Sequence, residues 1–310
     1  MRPRSLKAQR SFAWVQQYLD QELSIKEREP ANMSNNNLAF IGGGNMTRAI
    51  VGGLLESGFD ASRVFVSEPV AEARDSLAKD LPGITSSGDN KAIAAAASAV
   101  MLSVKPQILP AVCRELRQTL QDTQPLIMSI AAGIRGADID EWLGGGLSVV
   151  RIMPNQPALV RLGVSGLFAN QQTSETEKTR AAEIMGAVGS VVWVDSEADI
   201  DAVTAVSGSG PAYFFLLIDM LKKTAVQMGL KEDVARTLAI ETASGAAALA
   251  AAETDNMEVL IERVRSPGGT TAAALDSLDN ANIRDIFSTA ITSARDRANV
   301  LADEAHNSED

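Results

Sequence analysis

The stretch Leu38-Ala39-Phe40-Ile41-Gly42-Gly43-Gly44-Asn45-Met46-Thr47 constrains this chain more than any other. Four apolar residues fit a short buried strand, glycines turn the backbone, and Ile50, Val51, Leu54 and Leu55 recur at helical spacing. Strand, glycine turn and helix in that order form the entry to a dinucleotide-binding unit. The first helical amides face a pyrophosphate, and the glycines let backbone and ligand approach closely. The fingerprint is incomplete, because Thr47 stands at its last glycine position. A tight turn alone would also explain the glycines. The strand before, the helix after and Glu68 about 20 residues on favour a nucleotide.

From Leu38 to about Asp195 the pattern alternates. Apolar runs predict strands at 38–41, 63–67, 99–104, 125–130, 148–153 and 190–194, with helical spacing between most of them. Such alternation predicts a Rossmann-type, mostly parallel sheet covered by helices on both faces. Ligands bind such sheets beyond the carboxyl ends of the strands, so the residues just past each strand matter most. Past the second strand, Glu68 is placed to accept from adenosine ribose hydroxyls, which favours NAD, while Ser67 can donate to a 2′-phosphate. No arginine follows immediately, and a helix-start acid is the plainer alternative for Glu68. Lys105, in Ser103-Val104-Lys105-Pro106, can face a phosphate or carboxylate or be a solvated loop lysine. Ser129-Ile130-Ala131-Ala132-Gly133 is small enough for a flat ring to approach. In Arg151-Ile152-Met153-Pro154-Asn155-Gln156-Pro157, at the expected sheet edge, two prolines stiffen the loop around the Asn155 amide.

From Asp199 onward the pattern is all helical. Ser207-Gly208-Ser209-Gly210-Pro211 reads as a capped helix start. The following segment, Tyr213 to Leu221, is apolar nearly all round, which predicts burial on every side. About 110 residues cover such a helix poorly alone, so this half is expected to be shared between two subunits. An intrachain bundle is the alternative. The turn Ser266-Pro267-Gly268-Gly269-Thr270-Thr271 feeds a helix N-terminus and displays amides to a small carboxylate, with helix capping by a threonine as the competing reading.

Composition removes several chemistries. The formal charge of −11 and the absence of a basic stripe disfavour nucleic acid. Asp219, Lys222 and Lys223 interrupt the longest apolar run, so no membrane span is expected. Cys113 is the only cysteine, which excludes an intrachain disulfide or a cysteine metal cage; a reduced, half-buried thiol in the cytoplasm fits. His306, the only histidine, sits in an acidic tail expected to fray, so imidazole catalysis and a histidine-ligated metal are not expected. Residues 1–37 read as an N-terminal extension and linker, with Phe12, Val15, Leu19 and Leu23 able to share a helix face.

In order along the chain, Phe40-Ile41-Gly42-Gly43-Gly44-Asn45-Met46, Val104-Lys105-Pro106, Ser129 to Gly133, Met153-Pro154-Asn155 with Pro157 to Val160, Ala205 to Tyr213 and Ser266 to Thr271 resemble the Δ1-pyrroline-5-carboxylate reductase family. The resemblance implies an NAD(P)-binding Rossmann domain at 38–198, a helical dimerisation and substrate domain at 199–305, and a tail at 306–310. It implies NADPH or NADH as cofactor, a homodimer with a decamer of dimers as the larger alternative, and the last step of proline biosynthesis. The expected cofactor-binding residues are Gly42, Gly43, Gly44, Asn45 and Met46, then Ser67 and Glu68, then Val104, Lys105, Pro106, Ala131 and Asn155. For the substrate, the resemblance implies that Thr271 hydrogen-bonds the ring nitrogen and acts as the catalytic residue. Ser266 and the amides of Gly268, Gly269 and Thr270 hold the carboxylate. Three positions depart from the family: Thr47 for a small residue, Gln156 for threonine, and Arg263 where some members carry asparagine.

A protonated cyclic imine accepts hydride without an imidazole acid, which suits a chain with one tail histidine. A β-hydroxyacid dehydrogenase using Lys222 or Lys223 is the rival enzyme reading. A non-catalytic NADP-binding sensor is the rival from another class, and it leaves the second anion-receptive turn unexplained.

Overall fold

Leu38–Ile41 (β1) pairs in parallel with Val64–Ser67 (β2) on one side and Ala99–Leu102 (β4) on the other, Leu38 facing both Val64 and Ala99. The computed structural model describes residues 37–307, with side chains through Glu304. The helix expected around Phe12 to Leu23 lies outside the described residues. Eight strands form one sheet in the order β3-β2-β1-β4-β5-β6-β7-β8, where β3 is Thr85–Ser87, β5 Leu126–Ser129, β6 Val149–Met153, β7 Gly163–Ala169 and β8 Gly189–Trp193. Every pairing is parallel except β6 with β7. The expected mostly parallel sheet is therefore present. Two strands were not expected, β3 and β7, and β6 is internal rather than the sheet's edge.

Alternate residues of each central strand point to opposite faces, and both faces are apolar. Leu38, Phe40, Met101 and Met128 pack on one side with Ile50, Val51 and Leu54 of helix α1 (Asn45–Glu56) and Leu77 of α2 (Ala71–Asp80). Ala39, Ile41, Val100 and Ile127 pack on the other with Ile93 of α3 (Asn90–Ala95), with Leu109, Cys113, Leu116 and Leu120 of α4 (Leu109–Thr123), and with Trp142 of α5 (Gly136–Trp142). Cys113 is fully rather than half buried, because the i, i+3, i+7 stripe of α4 turns it into this second core. Helix α6 (Glu175–Gly186) opens on a capping box between Ser174 and Glu177 and adds Ile184 and Met185 to the first core.

Arg151 on β6 is 3% exposed and pairs with Glu197 (3.2 Å) and Asp201 (3.3 Å); Glu197 also accepts from the Gly136 amide at the start of α5. This buried charge is doubly paired, so removing one partner is costly. Asp201 lies on α7 (Asp199–Val203), where the helical half begins.

Ser207 to Pro211 do not start a new helix. The chain continues from α7 through a π-turn at Thr204–Gly208 into α8 (Gly210–Gln227). Ser209 N donates to Thr204 O (2.8 Å), and Ser207 Oγ donates back to Val203 O (3.0 Å) instead of capping. Pro211 lacks an amide to donate, and the widened turn accommodates that loss. The resulting helix, Asp199–Gln227, is long and apolar enough by length and composition to cross a membrane. The stretch before Asp219 is too short to span by itself; the continuous helix upstream from Asp199 supplies the added length that the sequence pattern did not predict.

By compactness the described chain divides into two units, each taken by itself. One holds the sheet, its helices and α12 (Ile283–Asn307); the other is Leu216–Ser277, with most of α8, then α9 (Glu232–Ala252), α10 (Met257–Val264) and the start of α11 (Thr270–Asn280). The segment expected to fray from Asn299 is helical to Asn307. Ala298 and Ala302 are buried, and a Cβ added at Gly133 would meet Leu301 Cβ at 3.1 Å.

Candidate cofactor and substrate sites

The sheet's order reverses between β1 and β4, and the glycine turn leaves the carboxyl end of β1 at that switch point. Gly42 has φ +108°, and a Cβ there would lie 2.8 Å from Ser103 O, so only glycine fits without displacement. A Cβ on Gly43 would lie 2.5 Å from Leu77 Cδ1. Gly44 is the N-cap of α1 with no side-chain cap, leaving the amides of the first turn, Asn45 and Met46 among them, for an anion. Thr47, the fingerprint's departure, is fully buried, and its hydroxyl donates to Gly42 O (2.7 Å). It thus braces the turn from inside. This turn fits a pyrophosphate.

Glu68, past β2, accepts from the Gly43 amide (3.2 Å) and the Val70 amide (3.1 Å). Its carboxylate is thereby fixed against the glycine turn. Ser67 is buried and donates to Asn90 Oδ1 (2.6 Å), so its proton is committed away from any 2′-phosphate. Arg74 was missed from sequence because it stands six residues beyond Glu68. It folds back from α2, and its Nη1 donates to Glu68 O (2.7 Å) and Pro69 O (2.9 Å). The helical return from the loop is the signal that could have found it.

Past β4, Val104 Cγ1 would lie 3.2 Å from a Cβ at Gly42, while Lys105 is exposed and accepts from Ile108 N at the start of a short turn begun by Pro106. Past β5, Ala131 is buried and its amide donates to Ser129 Oγ (3.3 Å). Past β6, Asn155 is 8% exposed, and its Oδ1 accepts from Val164 N (3.0 Å), which fixes the amide as the flanking prolines suggested. Gln156 is exposed. All the sequence-predicted cofactor residues therefore sit at the carboxyl ends of β1, β2, β4, β5 and β6.

The second expected site belongs to the other unit. After α10, Arg265 serves as C-cap, Gly268 takes φ +69°, and Gly269 N donates to Ser266 O (2.9 Å). Helix α11 begins at Thr270, and Ala273 N donates back to Gly269 O (3.2 Å). The earlier amides of the turn have no intrahelical acceptor. Among the described residues neither Thr270 nor Thr271 makes a side-chain capping bond, whereas Asn256 caps α10 through Glu258 N. Thr271 is half-buried; Ser266, Gly268 and Thr270 are exposed. Arg263, the third departure, turns away to Glu253 (3.2 Å) and Asp255.

A glycine turn at the switch point of a parallel sheet, followed by a helical region carrying an anion-receptive turn, defines a Rossmann-type nicotinamide-dependent oxidoreductase. Residues 37–133 match the family described as NADP oxidoreductase, coenzyme F420-dependent, and residues 197–301 match pyrroline-5-carboxylate reductase dimerisation. A pyrroline-5-carboxylate reductase from Pseudomonas aeruginosa is 44% identical over 88% of this chain and 99% of its own length; one from Vibrio alginolyticus is 42% identical over 86% and 97%. Among solved structures, a pyrroline-5-carboxylate reductase from Coxiella burnetii superposes with TM-score 0.83 at 41% identity, covering 87% of this chain and 99% of that one. The Plasmodium falciparum pyrroline carboxylate reductase with NADP bound gives 0.78 at 26% identity, covering 87% and 100%. The chain belongs to the pyrroline-5-carboxylate reductase family, and its helical region is an oligomerisation region.

Proposed function

We propose that this enzyme reduces 1-pyrroline-5-carboxylate to L-proline with NAD(P)H, the last step of proline biosynthesis, as a cytoplasmic homodimer. The observation that carries the reading is the Ser266–Thr271 turn: several amides and two uncommitted threonine hydroxyls at one helix start, in a chain 44% identical to a pyrroline-5-carboxylate reductase. The reduced nicotinamide, when bound, supplies the hydride. The chain's residues hold, orient and exclude water.

The Gly42–Met46 turn cradles the pyrophosphate. Gly42 N and Gly43 N are held by Ser67 O and Glu68 and shape the turn, the amides of Gly44, Asn45 and Met46 face the anion, and Glu68 accepts from the adenosine ribose. Val104, Lys105, Pro106, Ala131 and Asn155 line the mouth of the sheet beyond later strands. Ser266 with the amides of Gly268, Gly269 and Thr270 takes the carboxylate, and Thr271 Oγ1 accepts the N–H of the protonated ring nitrogen. With the imine carbon held about 3–3.5 Å from the donor, hydride adds to carbon, the C=N π pair passes to nitrogen, and neutral proline nitrogen results. No protein acid is consumed. Lys222 and Lys223, the alternative catalytic lysines, are held by Asp219 and Glu232, which favours a solvated surface role over hydroxyacid chemistry.

The apolar surface of α8 supports the homodimer; a decamer built from five such dimers is the larger form that sedimentation decides. The direct test follows the absorbance of NADPH and of NADH with pyrroline-5-carboxylate as sole substrate. Cofactor oxidation with stoichiometric proline is expected. Tight cofactor binding without oxidation, or turnover of 3-hydroxy acids alone, overturns the reading.

A further inference from the structure

Two arginines flank the end of α10 and grip opposite sides. Arg263 reaches back to Glu253 and Asp255, tying the α9–α10 connection. Arg265 reaches forward: its Nη2 donates to Asp276 Oδ1 at 2.6 Å, and its Nη1 to Glu262 Oε1 at 3.3 Å. Asp276 lies on α11, so this bond spans eleven positions and bridges the two flanks of the Ser266–Thr271 turn. Little else fixes that turn. Ser266, Pro267, Gly268 and Thr270 are exposed, Gly268 is in the left-handed region, and one backbone bond, Gly269 N to Ser266 O, closes the loop internally.

An exposed ion pair contributes little to fold stability. Its place here gives it another effect. A receptor made of backbone amides works only if those amides converge, and convergence depends on the angle at which α10 hands the chain to α11. Hydrogen bonds from Glu262 first and then Asp276 raise the Arg265 guanidinium above its ordinary value. Arg265 is held by both carboxylates at once, so its guanidinium links the end of α10 to α11.

We infer that Arg265 and Asp276 form a clamp that positions the amides of the Pro267-Gly268-Gly269-Thr270 turn for the substrate carboxylate. They are positioning residues and touch no reacting atom. The inference rests on the reading of this turn as the carboxylate receptor.

The test is a double-mutant cycle on the full-length enzyme. Arg265→Ala and Asp276→Ala are each expected to raise KM for pyrroline-5-carboxylate roughly tenfold, the scale of a sub-ångström misplacement, with KM for the cofactor and the melting temperature unchanged. The double variant should be no worse than either single one. Arg265→Lys, which keeps a cation facing Asp276, should recover most of the affinity. Silent single variants overturn the clamp, as do penalties that multiply in the double variant or an equal rise in cofactor KM. Thr271→Ala and Ser266→Ala run alongside separate the two ideas. If those are crippled while the Arg265 variants are silent, the clamp alone fails. If those are silent too, the turn is not the receptor.

Discussion

The sheet unit and the helical unit satisfy their apolar residues in opposite ways. In the sheet unit, the strands β1, β4 and β5 are buried throughout, and two cores close over both faces within one chain. In the helical unit's part of α8, by contrast, Leu216 is 58% exposed, and Met220 and Leu221 are exposed with it. Contiguous exposed apolar side chains of this kind mark interaction surfaces. The sheet bearing the candidate cofactor loops is thus closed within one chain, whereas α8 presents a surface that one chain leaves bare. Binding of nucleotide and competence for turnover should therefore separate experimentally.

The largest separation is expected from Thr271→Ala, which should lower kcat roughly 10- to 1000-fold through loss of one preorganised hydrogen-bond partner. Calorimetric cofactor affinity should be unchanged; full steady-state activity would refute the assignment. Next, Met220→Arg places a charge on the bare face of α8 and should cost the assembly about 2–4 kcal/mol, as for a central interface residue. Sedimentation velocity should show a lighter species that still binds cofactor, and an unaltered mass would count against α8 as the interface. Gly42→Ala acts on the other unit. Its positive φ and the 2.8 Å approach to Ser103 O impose about 1–3 kcal/mol of strain, read as a lower melting temperature and weaker cofactor binding without change in mass. The smallest effect is expected from Glu68→Gln, a few-fold shift in the kcat/KM ratio towards NADPH, because the lost carboxylate charge no longer opposes a 2′-phosphate near Arg74. A constant ratio would clear Glu68 of reading the ribose.

Legibility followed the same division. The strands with continuous apolar runs were readable because burial on both faces writes itself into every position. Thr85-Ser86-Ser87 escaped because an edge strand needs no apolar residues. Gly163–Ala169 escaped because Gly163 and Gly166 break the run; at Gly166 a Cβ would strike Val203 at 2.6 Å, so packing demands the glycine that hides the strand. The cofactor loops were legible as positions after strands. Ser67's commitment to Asn90 and the return of Arg74 were not, since both are contacts made by the fold. Likewise the turn at Ser266–Thr271 was visible from glycine and proline, but the Arg265–Asp276 bond across it depends on where α11 begins. In the helical half the apolar helix was expected to be buried on every side. Within one chain it is exposed instead, because no element among the described residues covers it.

The C-terminal end of α12 has a practical consequence. Leu301 and Ala302 sit over Gly133, and Asp303 pairs with Arg135, so the loop after β5 that includes Ala131 is propped by the last helical turns. The family match ends at residue 301. An expression boundary drawn there would keep every recognisable motif and Leu301 yet remove Ala302 and the Asp303 partner of Arg135, loosening the wall against which the flat ring is expected to lie.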